Sequence, residues 1–263
     1  MSYTCFANHY DRLTGNVSYP ERARYFDRLI RQYTDRAELI LDLACGTGSL
    51  TVELLSLGYD VIGVDGSAEM LSVAASKAPG ALFLCQDMAE LNLYGTIDAT
   101  ICALDSLNHI IDADKLSRVI RRVTLFTAPD GLFLFDVNTV YKHREVLGCN
   151  TFFYENDDCC CVWQNEYQEQ DHLVQIDLDF FVKEEGERYR RESESFCERA
   201  YEREELEQML HSAGLEILAV YGDDTLQPPQ EDTQRLIYVT RKLPPERGGI
   251  AANNTKKIRI RRK

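Results

Sequence analysis

The chain has 263 residues, 44% of them hydrophobic, which is enough for one large α/β domain with a subdomain. It contains no apolar run near the roughly 18 residues that span a bilayer and no signal-peptide pattern, so we expect a cytoplasmic protein without membrane contact. A formal net charge of −14 disfavours nonspecific binding to nucleic acid.

A basic segment departs from this acidic balance. Six of the 29 Lys and Arg residues lie within residues 256–263. We predict that residues 243–263 form a basic disordered tail that is solvated; a contact to RNA or to the protein's own acidic surface is the alternative.

Residues 1–38 are interpreted as a leader and helix that cover a site. Aromatic and polar residues are mixed up to Tyr19, and Pro20 then opens a helix, as proline does at a first helical position. The apolar side of this helix follows the helical spacing and consists of Tyr25, Phe26, Leu29, Ile30 and Tyr33.

The stretch from Leu39 to Ser49, LILDLACGTGS, predicts a buried strand that turns through Gly46 and Gly48 directly into a helix. The glycines let a ligand approach the backbone, and the first N–H groups of a helix face it unpaired. A tight turn without any ligand is the simpler interpretation of these residues alone.

Strands and helices then alternate, which predicts a parallel sheet with right-handed crossovers. Further helices are predicted after the capping residue Ser67 and over Asp114–Phe126. Ligands bind beyond the carboxyl ends of such strands, where Asp65, Asp87 and residues 104–109 fall. The four further predicted strands are Tyr59–Asp65, Ala81–Cys85, Ile97–Ala103 and Gly131–Val137.

The pattern changes to period two between about Thr151 and Tyr201, which predicts three or four antiparallel strands inserted after the fifth strand. We assign the insert to residues 141–201, as a roof over a substrate or a dimer contact, and the main domain to residues 39–140 and 202–242. The main domain then ends with a helix over Glu202–Ala213 and strands at Leu215–Tyr221 and Gln234–Thr240.

The spacing of polar residues narrows the ligand class. A dinucleotide site needs a third glycine where this chain has Thr51, and a phosphate loop needs a lysine that is absent near Gly48. A nucleoside without phosphates fits better, because Asp65 can accept from ribose hydroxyls and Asp87 from an adenine amino group. Met70 can pack on the adenine face, and Asp42 with the carbonyls of Ala44 and Leu104 can hold a positive amino group.

The motifs DLACGTG, VIGVDGS, CQDM and ALDSLNHI, in this order over residues 39–138, resemble those of class I S-adenosylmethionine (SAM)-dependent methyltransferases. The leader is similar to that of small bacterial members. The resemblance implies an α/β fold with a Rossmann-like, seven-stranded, mostly parallel sheet, helices on both faces and an inserted small antiparallel β subdomain. Its last strand would be antiparallel.

The resemblance also implies how SAM, and its product S-adenosylhomocysteine (SAH), would be held. Asp42, Gly46 and Gly48 would hold the methionine part, Asp65 the ribose, and Asp87 with Met88 the adenine, while a leader tyrosine would cover the site. The predicted cofactor-binding residues are Tyr10, Tyr19, Asp42, Ala44, Cys45, Gly46, Gly48, Asp65, Gly66, Met70, Gln86, Asp87, Met88, Leu104 and Asp105.

A sulfonium methyl is already activated, so no metal or covalent nucleophile is required, and the sequence predicts no metal site. The candidate proton acceptors are His109 and His9, with Asp105 as a carboxylate alternative; a plain helix-initiating histidine is the other interpretation of His109. We predict methyl transfer to a nitrogen or oxygen of a small molecule by a monomer or homodimer. An RNA methyltransferase that uses the basic tail, or a non-catalytic SAM-binding protein, is the alternative.

Overall fold

The structure is a computed structural model, and it describes residues 17–155, 159–186 and 188–244. Two sheets are present, one of seven strands and one of four. No helix of the described ranges is long and apolar enough to cross a membrane. The predicted leader residues His9 and Tyr10, and the basic residues 256–263, lie outside the described residues.

The first half of the chain alternates strands and helices, as predicted. Its elements are α1 (Tyr19–Tyr33), β1 (Leu39–Leu43), α2 (Ser49–Ser56), β2 (Asp60–Asp65), α3 (Ala68–Lys77), β3 (Leu82–Cys85), β4 (Ile97–Cys102), α4 (Ala113–Phe126) and β5 (Thr127–Asn138). One boundary was predicted wrongly: β5 begins four residues before Gly131, because Thr127 already pairs with Ile97 of β4.

The second half contains the insert and the end of the main sheet. A π-helical segment (Lys142–Leu147) leads into β6 (Thr151–Glu155), β7 (Cys159–Gln168), β8 (Leu173–Lys183) and β9 (Tyr189–Arg199), which are followed by α5 (Arg203–Ser212), β10 (Leu215–Gly222) and β11 (Arg235–Lys242).

The seven-stranded sheet has the order β10-β11-β5-β4-β1-β2-β3. β11 runs antiparallel to both of its neighbours, β5 and β10. The strand pairs β1–β2, β2–β3, β1–β4 and β4–β5 are parallel. The predicted seven-stranded, mostly parallel sheet is therefore confirmed, and its carboxyl edge collects the ends of β1 to β5.

Helices cover both faces of this sheet, because its strands are apolar on both faces. On one face, α1 and α2 bury Phe26 and Leu54 against Ile40 and Ile101. On the other face, α4 and α5 pack on a cluster that includes Phe133, Phe135 and Tyr238. This double cover leaves only the edges of the sheet free to carry a site.

The insert forms the four-stranded antiparallel sheet β6-β7-β8-β9. Alternate residues of β8 (Val174, Ile176, Leu178 and Phe180) are buried on one face, which is the period-two pattern expected of a half-covered sheet. The apolar cluster on this face includes Met70 of α3. The insert therefore lies over α3 and the carboxyl edge of the main sheet.

One asparagine ties the insert to the main sheet. Asn108, which is fully buried after β4, exchanges backbone hydrogen bonds with Arg199 at the end of β9: the Arg199 N–H donates to the Asn108 carbonyl at 2.8 Å, and Asn108 Nδ2 donates to the Arg199 carbonyl at 2.8 Å. Asn108 Nδ2 also donates to the carbonyl of Asn138 at 3.2 Å. This fixes where the end of β9 lies relative to the ends of β4 and β5.

Candidate active site

A cavity of about 740 Å³ lies between the carboxyl edge of the main sheet and the insert. Eleven of the predicted site residues line it together. They are Ala44, Gly46, Asp65, Gly66, Met70, Gln86, Asp87, Met88, Leu104, Asp105 and His109.

The turn after β1 is shaped for close approach of a ligand. Gly46 has φ +53°, and a Cβ there would meet no heavy atom within 4 Å, so its backbone borders open space. Its N–H donates to Asp65 Oδ2 at 2.9 Å, which joins the turn to the end of β2. Ala44 also has a positive φ of 60°, a conformation that costs a non-glycine residue energy.

Gly48 lies at a contact between two helices, whereas Gly46 borders open space. A Cβ on Gly48 would lie 2.9 Å from the Cβ of Ala74 and 3.1 Å from its Cα, so this glycine lets α2 pack closely against α3. It borders neither cavity of the described residues. Its assignment to the cofactor stays a prediction.

Asp65 ends β2 at the cavity wall. Besides the bond from Gly46, its Oδ1 accepts from the Ser67 N–H at 2.8 Å. Burial raises the pKa of this carboxyl above its usual value, against the lowering effect of the backbone hydrogen bonds. Each oxygen keeps a second lone pair for a hydroxyl group in the cavity.

Asp42 of β1 is only 2% exposed. Thr51 Oγ1 donates to its Oδ2 at 2.6 Å. Burial raises the pKa of Asp42 to about 7, with a further contribution from the negative charge of Asp65, while the Thr51 bond lowers it. A smaller cavity of about 30 Å³ borders Asp42, Cys45 and Tyr19, three further predicted site residues.

Asp87 follows β3 and is held on both oxygens. Oδ1 accepts from the Ala89 N–H at 2.8 Å, and Oδ2 pairs with Lys115 Nζ at 2.8 Å. Desolvation raises the pKa of Asp87, but the Lys115 and Ala89 hydrogen bonds outweigh it, so the pKa lies below its usual value. A ligand amino group would therefore meet an ionised acceptor.

The loop after β4 is held in an unusual conformation by a buried carboxylate. Leu104 and Asp105 have φ values of 59° and 51°. Their N–H groups donate to Asp136 of β5 at 2.7 and 3.1 Å. Arg235, the first residue of β11, pairs with Asp136 and, at 2.7 Å, with Asp105.

This arrangement restricts what Asp105 can do. Desolvation raises its pKa, but the positive charges of Arg235 and Lys142, with a contribution from His109, outweigh that effect and hold the pKa well below its usual range. A carboxylate of such low basicity is a poor proton acceptor at neutral pH.

His109 lies at the inner end of the cavity beside Glu198 from β9. His109 Nε2 is 3.7 Å from Glu198 Oε1, and the ring packs on Phe196 with centroids 5.1 Å apart. One nitrogen or oxygen atom from each of Asp105, His109 and Glu198 lies within 4.8 Å of the others. Such a set can hold a cation, although Arg235 already engages Asp105.

Sequence reasoning missed the lining residues that come from the insert and from β11. Tyr154, Trp163, Phe196 and Glu198 lie in alternating strands whose register was not readable, and Arg235 is 130 residues from its partner Asp105. Asn138 could have been predicted from the sequence, because it ends β5 at the same sheet edge as the other strand ends.

The cavity fits the adenosyl and methionine parts of SAM by its own chemistry. An open cradle at Gly46 adjoins a carboxylate at Asp65, an ionised acceptor at Asp87 and a thioether at Met70, which all line the same cavity. Asp42 and the backbone around Ala44 border the adjoining small cavity.

Comparison with known proteins identifies the family. A methyltransferase domain model matches residues 40–131. The chain is 33% identical over 246 residues to YqeM of Bacillus subtilis (strain 168), covering 92% of this chain and 98% of that one. It is 31% identical over 247 residues to GWCH70_2453 of Geobacillus sp. (strain WCH70), covering 92% and 100%. Both of these carry provisional methyltransferase names.

A solved structure agrees. A SAM-dependent methyltransferase from Clostridium acetobutylicum ATCC 824 has a TM-score of 0.83 and 34% identity, covering 92% of this chain and 99% of that chain. The fold is thus that of a Rossmann-like methyltransferase. The chain belongs to the class I SAM-dependent methyltransferases and is an enzyme of this class.

More distant relatives act on small molecules. CalS10 of Micromonospora echinaspora, an amino pentose methyltransferase solved with SAM bound, shares the fold with a TM-score of 0.74 at 19% identity, covering 92% of this chain and 98% of that chain. A glycine/sarcosine N-methyltransferase of Parasynechococcus marenigrum (strain WH8102) is 29% identical over 138 residues, covering 50% of this chain and 48% of that one.

Proposed function

We propose that this enzyme transfers the methyl group of SAM to a nitrogen or oxygen atom of a small molecule, by in-line displacement. The observation that carries the proposal is that two different sheets line the cavity. One wall, called the outer wall here, is the carboxyl edge of the main sheet with Gly46, Asp65 and Asp87. The other, called the inner wall or roof, is the face of the insert that carries the apolar side chains of Trp163, Leu178 and Phe196. A volume of about 740 Å³ suits a cofactor with a small acceptor beside it.

Bound SAM supplies a methyl group that is already activated by its sulfonium sulfur. The protein's part is to orient the acceptor, exclude water and accept a proton. Orientation of two bound reactants is worth roughly 7–11 kcal/mol of the barrier. The roof and the loop at residues 104–109 border the same space, so they are placed to give this orientation.

His109 is the proton acceptor that this proposal favours. It lines the cavity, and its Nε2 faces a carboxylate that can stabilise the imidazolium. Asp105 is disfavoured in that role by its pairing with Arg235. The cofactor assignments of Asp42, Asp65 and Asp87 are part of the proposal, and so is the absence of any metal requirement.

The experiment has two readouts. Calorimetry measures SAH binding, and transfer of label from methyl-labelled SAM to a protein-free bacterial metabolite extract measures turnover. We expect both. Tight SAH binding without labelled product in any extract would favour a SAM-binding protein without turnover, and labelled RNA with unlabelled metabolites would favour the RNA alternative. The basic residues 256–263 on which that alternative depends lie outside the described residues.

A further inference from the structure

Glu198 is a buried carboxylate at the inner end of the cavity. It is 5% exposed, it belongs to β9 of the insert, and it lines the cavity. Two other acids of the cavity have cationic partners, since Arg235 pairs with Asp105 and Lys115 with Asp87. Asp65 and Asp112 accept hydrogen bonds from backbone N–H groups instead. Within the described ranges, no Lys or Arg nitrogen lies within 4.0 Å of the Glu198 carboxylate.

The neighbours of Glu198 are two histidines and an amide. Oε1 faces His109 Nε2 at 3.7 Å, and Oε2 lies 3.4 Å from His143 Nε2 and 3.4 Å from Asn138 Nδ2. His143 is fully buried, and neither of its ring nitrogens makes a hydrogen bond. These contacts are long, so the carboxylate keeps capacity for a stronger donor.

The position of Glu198 is nevertheless fixed. Lys142 Nζ donates to Asn138 Oδ1 at 2.8 Å, which orients the Asn138 amide so that its Nδ2 faces Glu198. The backbone of the next residue, Arg199, is held by two hydrogen bonds to Asn108: its N–H donates to the Asn108 carbonyl, and its carbonyl accepts from Asn108 Nδ2. The carboxylate is therefore preorganised at the cavity wall rather than free to turn away.

A desolvated carboxylate costs free energy unless a cation or strong donors compensate it. From this geometry we propose that Glu198 binds the protonated amino group of the methyl acceptor, so that the substrate is a small primary or secondary aliphatic amine. The inference rests on the proposed function and narrows it from nitrogen or oxygen to nitrogen. An ammonium group supplies short, charge-assisted hydrogen bonds, which the two histidines do not.

A divalent metal ion fits the same place less well. It would need Asp105, but Arg235 already binds that carboxylate at 2.7 Å, and the charge of Lys142 acts on it as well. Two fixed positive charges beside the cluster repel a divalent cation more strongly than a singly charged ammonium group.

The proton balance follows from the same contacts. The acceptor enters as an ammonium ion and gives one proton to the His109–Glu198 pair. The free nitrogen lone pair then forms a bond to the methyl carbon while the carbon–sulfur bond breaks, and that electron pair stays on sulfur, giving SAH and an N-methylammonium product. In this proposal His109 and Glu198 contact the substrate.

The test starts from the metabolite extract that accepts label from methyl-labelled SAM. One half is treated with acetic anhydride, which blocks primary and secondary amines. We expect acetylation to abolish label transfer and the product from untreated extract to be retained on a cation exchanger at neutral pH. Transfer that survives acetylation would overturn the inference and leave the proposed function standing, whereas no transfer to untreated extract would contradict the proposed function itself.

The role of Glu198 is tested with Glu198→Gln and with Glu166→Gln, an exposed position on β7 of the same sheet. We expect Glu198→Gln to need at least tenfold more extract for half-maximal rate with SAH affinity unchanged, and Glu166→Gln to behave as the wild type. Equal behaviour of the two variants would refute the assignment. Loss of wild-type activity in EDTA, restored by Mg²⁺ or Mn²⁺, would show that the cluster holds a metal and would also overturn it.

Discussion

The two walls of the cavity are built on different principles. The outer wall consists of the ends of parallel strands, where each proposed cofactor residue lies at the end of a strand or within three residues of it: Gly46 follows β1, Asp65 ends β2 and Asp87 follows β3. The inner wall is one face of the antiparallel sheet of the insert, where every second residue of a strand faces the cavity. The parallel edge is suited to an invariant ligand, and the alternating face can change its lining without disturbing the main fold.

Because the two walls differ, their effects can be separated. Changes at the parallel edge should alter affinity for SAM and SAH, and changes at the roof should alter use of the acceptor.

Asp65→Ala removes the carboxylate assigned to the ribose. Hydrogen bonds to a charged group are worth about 1.5–3 kcal/mol each, so losing two should cost roughly 4 kcal/mol, close to a thousandfold in SAH affinity. Calorimetry measures it. The control is Asp60→Ala, at the exposed opposite end of the same strand. Equal SAH affinities of the two variants would show that the ribose lies elsewhere.

The pH dependence of stability tests the burial of Asp42. Its pKa is raised to about 7 in the folded protein, so the folded state holds a proton that the unfolded chain loses above about pH 4. The free energy of unfolding should fall by about 3 kcal/mol between pH 4.5 and 7 from this group. Asp42→Asn should lack that component, as denaturant titrations of both proteins at each pH would measure. Parallel pH profiles would contradict the assignment.

Gly48 and Gly186 have nearly the same φ but different surroundings, so a comparison of the two separates the energetic cost of overpacking from that of backbone strain. Gly48 and Gly186 have φ values of 75° and 74°, but a Cβ would meet Ala74 only at Gly48. Each Gly→Ala change should cost about 1–2 kcal/mol from the left-handed conformation, and Gly48→Ala about 2 kcal/mol more from overpacking. Urea denaturation measures both. Equal losses would mean that α2 and α3 separate without cost.

Trp163→Ala tests the roof. Removing this ring should weaken acceptor binding by about 1 kcal/mol and raise the apparent KM several-fold, while SAH affinity stays within twofold. Tyr189→Ala, an exposed aromatic of β9, is the matched control. A large loss of SAH affinity in Trp163→Ala would contradict the division of the cavity into two walls.

The difference between the walls also explains how far the sequence could be interpreted. Local signals identify a strand end, so Asp65 and Asp87 could be placed at one edge from spacing alone, and the order of motifs indicated the family. The roof could be predicted only as an antiparallel insert, because the cavity-facing residues depend on register and on where the sheet lies. Glu198 lies among other charged residues of β9, and nothing in its sequence neighbours distinguishes it from the exposed acids there.

Arg235 could not be found for a related reason. Its function depends on the antiparallel direction of β11, which brings the start of that strand to the same edge as the ends of β4 and β5. No spacing rule connects it with Asp105 or Asp136. The ion pairs of Arg235 with these two buried carboxylates can be recognised only when the strand order is known.

This reversed strand has a consequence for biosynthesis. Residues 39–138 emerge from the ribosome about a hundred residues before Arg235 does, and domains form as their parts become available during synthesis. Until β11 inserts between β5 and β10, the buried Asp136 and its neighbour Asp105 lack the arginine that joins them. The ion pairs that hold the loop after β4 therefore form only when the last strand of the sheet is in place, so completion of the sheet and of the proposed acceptor site become the same late event.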